Sequence, residues 1–485
     1  MSNLSDLLPA GAGGKQVDFV ATGTLPSGQA VALKTDGTVE AVVDVPASLG
    51  TPVTTTFAGS EGLYVSMLTS TTFVGSGRDD AAVAVGAGTC VIGTVSGGAI
   101  TFGTKVLAGT LGYPSYPQVV ALSATQFVFL YTGSGPPYIV SGTAVGATVS
   151  GTSITFGALT TFEAGSTSIN TVSACTRLSD TTFVIVLTDA SDSANAKAII
   201  GTIDASNVVS FGSPYTFATA NSSLYAVVTA LSSTKLAIAW SDTPSPGPEE
   251  GMVVIGTVSA GTISFGTAVV FTAQYMVRQS IVALSETKFV IAYQEDRTAS
   301  PLIQRAIVGS VSGTTITLGS PATYVDPVYA NRWPFVLKLS ESTFCVLFMA
   351  STTHYGALRI GTVSGTSITY DTVVIYNSAT TFGAYGGYSA ASGIVIGYDV
   401  TNFTGVTYSL SSTNNTDFVG ITDEAISSAA TGSVTIKGGI SSTVTGLTPN
   451  LSYYVQDDGT LSTVTSTVLA GKALSPTSIN LDYTT

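Results

Sequence analysis

The sequence predicts an all-β protein: a seven-bladed β-propeller of four-stranded blades, with six or eight blades as the alternative counts, closed by an N-terminal strand, with a small β domain drawn from both termini. Three observations carry this prediction. Six times between residues 68 and 370 the chain repeats an apolar run, a Leu-Ser or Leu-Thr turn, a second apolar run, a variable loop, Gly-Thr or Gly-Ser, and a strand-like segment. The anchoring leucines (Leu68, Leu122, Leu178, Leu231, Leu284, Leu339) are 53 to 56 residues apart, room for four short strands per unit. Only 9% of residues are charged and 45% are hydrophobic, with Gly, Ser, Thr, Val and Ala abundant, which suits closely paired strands joined by small-residue turns.

Residues 1–16 form an N-terminal arm with neither the basic start nor the apolar run of a secretory signal, so no Sec export is expected. Residues 17–48 together with 414–485 make the small domain. Both stretches carry a Phe-Val pair (Phe19-Val20, Phe418-Val419), an apolar run (Gln29 to Leu33, Tyr453 to Gln456) and an Asp-Gly-Thr turn (Asp36 to Thr38, Asp458 to Thr460). Asp-Gly between apolar runs signals a hairpin.

The propeller occupies residues 49–413. In its fifth unit, strand a is Ser280 to Leu284, b is Phe289 to Tyr293, c runs through Gly309 to Val311, and d is Thr315 to Gly319. The second anchors, Gly93, Gly142, Gly201, Gly256, Gly309 and Gly361, keep step with the leucines. A seventh unit offers Ser389 to Ala391, Gly393 to Tyr398 and Thr404 to Ser409 for strands a to c, but no d strand follows. LGTPVTTTF (Leu49 to Phe57) matches the d pattern, so the missing strand comes from the other end of the chain and removes an open sheet edge.

Several function classes drop out on composition. A net charge of −13 and a pI near 4.3 leave no basic surface for a phosphate backbone. The most apolar stretch, Ala81 to Ile100, is broken by Gly, Thr and Ser, as in buried strands and unlike a membrane span. Cys90, Cys175 and Cys345 fall in apolar strand segments and read as free buried thiols. His354 is the single histidine, so multi-histidine metal sites are excluded and a Ser-His-Asp triad has one candidate, in a variable loop with no motif around it. No phosphate-cradling motif and no Ser-x-Asp-x-Gly-x-x-Trp box is present. The chain is expected to be no enzyme and to need no cofactor or metal.

Two recurring features remain as site candidates. Carboxylates follow strand b in several blades (Asp79, Asp189, Asp242, Asp296, Asp399) and suit either turn chemistry or an acidic rim offered to Ca²⁺ or sugar hydroxyls. Aromatic and cationic residues precede strand a: Tyr113, Tyr116, Tyr225, Tyr275, Arg278, Tyr329, Arg332, Trp333, Tyr385 and Tyr388. In a propeller the b–c and d–a loops emerge on one face. These residues therefore suit a glycan or protein contact surface, or else wedges between blades.

The flanking segments DFVGITDEAISSAATGSVTIKGGI (Asp417 to Ile440), GLTPNLSYYVQDDGTLST (Gly446 to Thr463) and AGKALSPTSI (Ala470 to Ile479) resemble a module of tail-fibre and other virion structural proteins of tailed bacteriophages. The opening Leu8 to Val42 resembles N-terminal segments of marine phage proteins. The resemblance implies a non-enzymatic virion appendage, oligomeric in the particle, made in the host cytoplasm without a signal peptide. Its terminal domain would contact other virion proteins and its propeller host-surface glycans or proteins. A purely structural capsid or tail decoration protein and a glycan-processing propeller enzyme are the alternative readings.

Overall fold

The computed structural model describes residues 15–56, 63–79, 87–108, 114–135, 139–166, 171–189, 192, 195–219, 224–242, 250–274, 276–295, 302–328, 334–350, 354–381, 383–399 and 402–482. The chain divides into two compact units, Leu49–Ser409 and Met1–Ser48 with Leu410–Thr485. Among the described residues there is no α-helix, and no helix is long and apolar enough to cross a membrane.

Within Leu49–Ser409 the described strands form seven antiparallel sheets in chain order. The fifth is typical: Met276–Ser285, Lys288–Glu295, Leu302–Ser312, then an outer strand in two pieces, Thr315–Leu318 and Ala322–Val328, both paired to the third. First strands of successive sheets lie side by side all the way round, and Ala384–Ser389 of the seventh meets Tyr64–Met67 of the first. The sheets are propeller blades. The seventh takes Ala384–Ser389, Gly393–Asp399 and Phe403–Ser409 from the end of the unit and its outer strand from the beginning. Val53 pairs with Gly405 and Thr54 with Thr404, while Gly50 N donates to Thr407 O at 2.9 Å.

The innermost strands would leave backbone N–H groups open toward the axis. Hydroxyls of the preceding blade accept them: Ser66 from Ala121 N, Thr176 from Ala230 N, Thr229 from Ala283 N and Ser280 from Val336 N, all at 3.1 Å.

The glycine anchors have two separate causes. On strand c, Gly93, Gly201, Gly309 and Gly361 lie directly opposite Phe73, Phe183, Phe289 and Phe344, whose rings fill the space a Cβ would take. In the second blade the residue opposite Phe127 is Ala147, so the anchor there is Ala147 and not Gly142, which lies five residues earlier under Phe162. In five blades the strand d glycine faces outward to the next blade, whereas Gly212 of the third meets only Ile200 O of its own sheet. A Cβ on Gly103, Gly157, Gly266, Gly319 or Gly50 would press on the carbonyl of Thr152, Asn207, Thr314, Thr366 or Gly98, each in the turn joining strands c and d of the following blade. The sixth blade has Asp371 at this position. Its neighbour, the seventh blade, has no such turn, because the chain leaves after strand c.

The other unit holds two five-stranded sheets. One runs, edge to edge, Gln16–Val20, Thr431–Ile436, Phe418–Thr422, Ala30–Leu33, Val39–Ala41; the other runs Ile440–Ser441, Ser478–Leu481, Leu469–Ser475, Ser452–Val455, Leu461–Ser462. Ala30, Ala32, Phe418 and Ile421 of the first share a core with Tyr453, Val455, Ala470 and Ile479 of the second. Phe418-Val419 lies in an inner strand of the first sheet beside Ala30–Leu33, so it is not the counterpart of Phe19-Val20 on the edge.

Candidate functional site

Strand b opens on Phe or Leu, and period-two alternation sends every second residue to the face that meets the preceding blade. Six residues on, that face carries Asp79, Asp189, Asp242 and Glu295 in blades one, three, four and five. Three of these are buried and ion-paired. Lys105 Nζ lies 2.6 Å from Asp79 Oδ2 and also donates to Thr56 O. Lys197 Nζ lies 2.6 Å from Asp189 Oδ2 and 2.8 Å from Asp192 Oδ2. Arg305 Nε stands 3.3 Å from Glu295 Oε2, whose other oxygen accepts from Thr272 of the preceding blade at 3.0 Å. Burial opposes the Lys197 charge, but the hydrogen bonds it donates to Asp189 and Asp192 raise its pKa overall; the Lys197 contact lowers that of Asp192.

The acidic-rim reading therefore fails for Asp79 and Asp189, which are 0% and 3% exposed and neutralised by lysine. Asp399 is also buried, and it is out of step: Tyr398 occupies the register of Tyr293, so Asp399 corresponds to Gln294 and faces the opposite side of its sheet. In blade five the corresponding acid is Glu295; Asp296 lies outside the described residues. Asp242 is half-buried at the end of its strand, opposite Glu250. Among the described residues no group of three His, Cys, Asp or Glu side chains is placed to hold a metal ion.

The aromatic candidates divide similarly. Tyr113, Tyr275, Tyr329, Arg332 and Trp333 lie outside the described residues. Tyr116, Tyr225, Arg278, Tyr385 and Tyr388 are not in the d–a connections; they belong to strand a itself, which starts earlier than the apolar run suggests. In blades two to five the extension is made by a bulge, with register shifts at Ser115/Gln118, Val172/Ala174, Leu224/Val227 and Met276/Arg278, whereas Ala384–Ser389 of the seventh blade pairs in unbroken register.

One convergence of these side chains is clear. Tyr385 of the seventh blade stacks on Tyr64 of the first, with ring centroids 4.1 Å apart, and meets Phe335 of the sixth at 5.1 Å. Gln118 of the second blade donates to the Tyr64 hydroxyl at 2.5 Å. Burial, and next the neighbouring Tyr385, push the Tyr64 phenol well above 10. Burial also raises Tyr385, against a downward pull from its Tyr64 hydrogen bond and the Arg278 charge, and lifts the Cys175 thiol to about 12. All these residues lie on innermost strands, so the cluster sits on the propeller axis. It supplies stacked aromatic surface, an amide and a guanidinium. None of its groups is a base near neutral pH.

Tyr64, Gln118 and Phe335 were absent from the sequence-derived candidates. Each stands four residues before its blade's leucine anchor, Leu68, Leu122 or Leu339. That column of the repeat was the available signal.

No family model and no curated protein matches the chain. Among solved structures it is similar to the NanB sialidase of Streptococcus pneumoniae (9% identity, 77% of this chain and 71% of that one, TM-score 0.41). It is also similar to a protein from Lactobacillus plantarum (12%, 74% and 98%, TM-score 0.47) and to the β-propeller domain of the Trilobed protease from Pyrococcus furiosus (9%, 73% and 98%, TM-score 0.40). The propeller assignment itself stands on the sheet topology described above.

Proposed function

We propose that the protein is a non-enzymatic virion appendage, attached through its terminal β unit to other virion proteins and presenting the propeller to host-surface glycans or proteins. The observation that carries the binding reading is the axial cluster of Tyr64, Phe335 and Tyr385 with Gln118 and Arg278, contributed by five blades. Aromatic faces with amide and guanidinium donors bind sugar rings and peptide side chains without bond-breaking chemistry. The buried carboxylates at the ends of strand b are held in ion pairs, which suits a scaffold and not a hydrolytic acid/base pair.

The test is binding of purified protein to host cells and to a panel of their surface glycans. Tyr385→Ala combined with Arg278→Ala is expected to weaken attachment at least about tenfold while the circular dichroism spectrum is kept. Unchanged attachment by the folded double variant would leave the decoration reading. His354→Ala is expected to change no activity on host polysaccharide; a hydrolysis that this substitution abolished would replace the appendage reading with an enzymatic one.

A further inference from the structure

We infer that the terminal unit is one five-stranded module present twice, that the propeller is an insertion between the third and fourth strands of the first copy, and that the unit folds without it. In chain order the first copy is Gln16–Val20, Ala30–Leu33, Val39–Ala41, Phe418–Thr422 and Thr431–Ile436. The second is Ile440–Ser441, Ser452–Val455, Leu461–Ser462, Leu469–Ser475 and Ser478–Leu481. Both sheets have the edge-to-edge order first, fifth, fourth, second, third.

The correspondence extends to single residues. Asp36 Oδ1 accepts from Thr38 N and Oγ1 at 3.0 and 2.6 Å; Asp458 Oδ1 accepts from Thr460 N and Oγ1 at 2.9 and 2.7 Å. Three residues after a buried leucine, Leu25 or Leu447, each copy places a residue with left-handed backbone, Gly28 (φ 78°) or Asn450 (φ 71°). The fourth strand holds Gly420 or Gly471, where a Cβ would strike the carbonyl of the partner-strand residue, Thr435 or Asn480. Both copies have a register shift between the second and fourth strands, at Val31/Ala32 and at Tyr453/Tyr454.

The copies stack in one direction. Tyr453, Val455, Ala470 and Ile479 of the second pack on Ala30, Ala32, Phe418 and Ile421 of the first. The first copy's counterparts of the former set, Val31, Val419 and Val434, form a separate core with Leu25 and Ile426, the latter from the connection between its fourth and fifth strands. The second copy's counterparts of the latter set include Ser452 and Lys472, both exposed. At one end a loop covers the core, at the other Ser452 and Lys472 interrupt a face that also carries the partly buried Tyr454 and Leu469, and the core shared by the two copies is what holds so short a stack together.

The insertion point is closed in space. Val43 N donates to Asn414 Oδ1 at 2.9 Å, and Asp44–Val45 pairs with Ser412–Thr413. With residues 44–413 removed, six residues connect Ala41 to Phe418, the same number that connects Ser462 to Leu469 in the second copy.

The test joins Val43 to Asn414. The shortened chain is expected to be a folded β protein with dispersed amide resonances and cooperative thermal unfolding. In the full chain, Val455→Ala is expected to lower one of two unfolding transitions and Phe289→Ala the other. The full chain decides if the new junction misfolds: separate shifts support the inference, whereas two transitions that move together, or a single shared one, overturn it. The result does not depend on the appendage reading.

Discussion

Blades five and seven reach the same four-stranded form by different routes. Blade five is one continuous stretch, and its outer strand carries Gly319 against the Thr366 turn of blade six. Blade seven borrows a short outer strand from the far end of the unit, and its own strand c leads away without a turn. The sixth blade, facing that missing turn, carries Asp371 where its counterparts carry glycine. A local hairpin costs little chain entropy, whereas joining strands more than 300 residues apart has to be sustained by the contacts at the join. Continuous blades are thus secured one by one, and the ring as a whole is secured at the seventh.

The largest effect should come from breaking that join. A chain beginning at Ser60 lacks the closing strand and is expected to lose cooperative unfolding of the entire propeller; a scan with the full-length midpoint would show that closure is not what holds the ring. Gly50→Val, which drives a side chain into the Gly98 carbonyl and Thr407, is the focused version of the same test.

Next comes the interior of blade five. Glu295→Ala leaves the mostly buried Arg305 without its carboxylate and should cost about 3 kcal/mol by denaturant titration. A loss below about 1 kcal/mol would mean that Arg305 finds water or another acceptor.

A smaller, paired effect compares the outer strands. Gly319→Ala presses on Thr366 and should cost roughly 1–3 kcal/mol, while Asp371→Ala meets no turn and should stay within about 0.5 kcal/mol. Equal costs would separate the glycine motif from the neighbouring turn.

The most gradual effect is with pH. Burial holds the phenols of Tyr64, Tyr131, Tyr293, Tyr324, Tyr370 and Tyr376 above their usual value of 10, with Tyr131 at about 12. Folded values raised above unfolded ones mean that this stability is complete below pH 10 and falls as pH climbs toward the raised values. Phenolate absorbance of these tyrosines should therefore rise together with unfolding.

The fold class was readable because a propeller repeats its constraints. Phe over Gly, Leu before the turn and Gly against the next blade recur at one spacing, so local signals reinforce one another. The closing strand was readable from the vacancy it fills. The site was less legible, for physical reasons. Asp79 and Asp189 look like loop acids until strands c and d supply Lys197 and Lys105, and a sequence does not display that pairing. Asp399 sits one residue out of step, which in a strand reverses the face. Tyr385 follows a connection in sequence but belongs to the innermost strand, because in the seventh blade that strand is Ala384–Ser389, ahead of the Ser389 to Ala391 run the sequence offered for it.

The hydroxyls on the innermost strands give the ring a direction. Ser66, Thr176, Thr229 and Ser280 each accept from an amide of the blade that follows. Damage along the axis should consequently propagate with a polarity. Removing the Thr229 hydroxyl leaves its own sheet intact and frees the Ala283 amide next door, so faster hydrogen exchange should appear one blade downstream of the substitution and not one blade upstream.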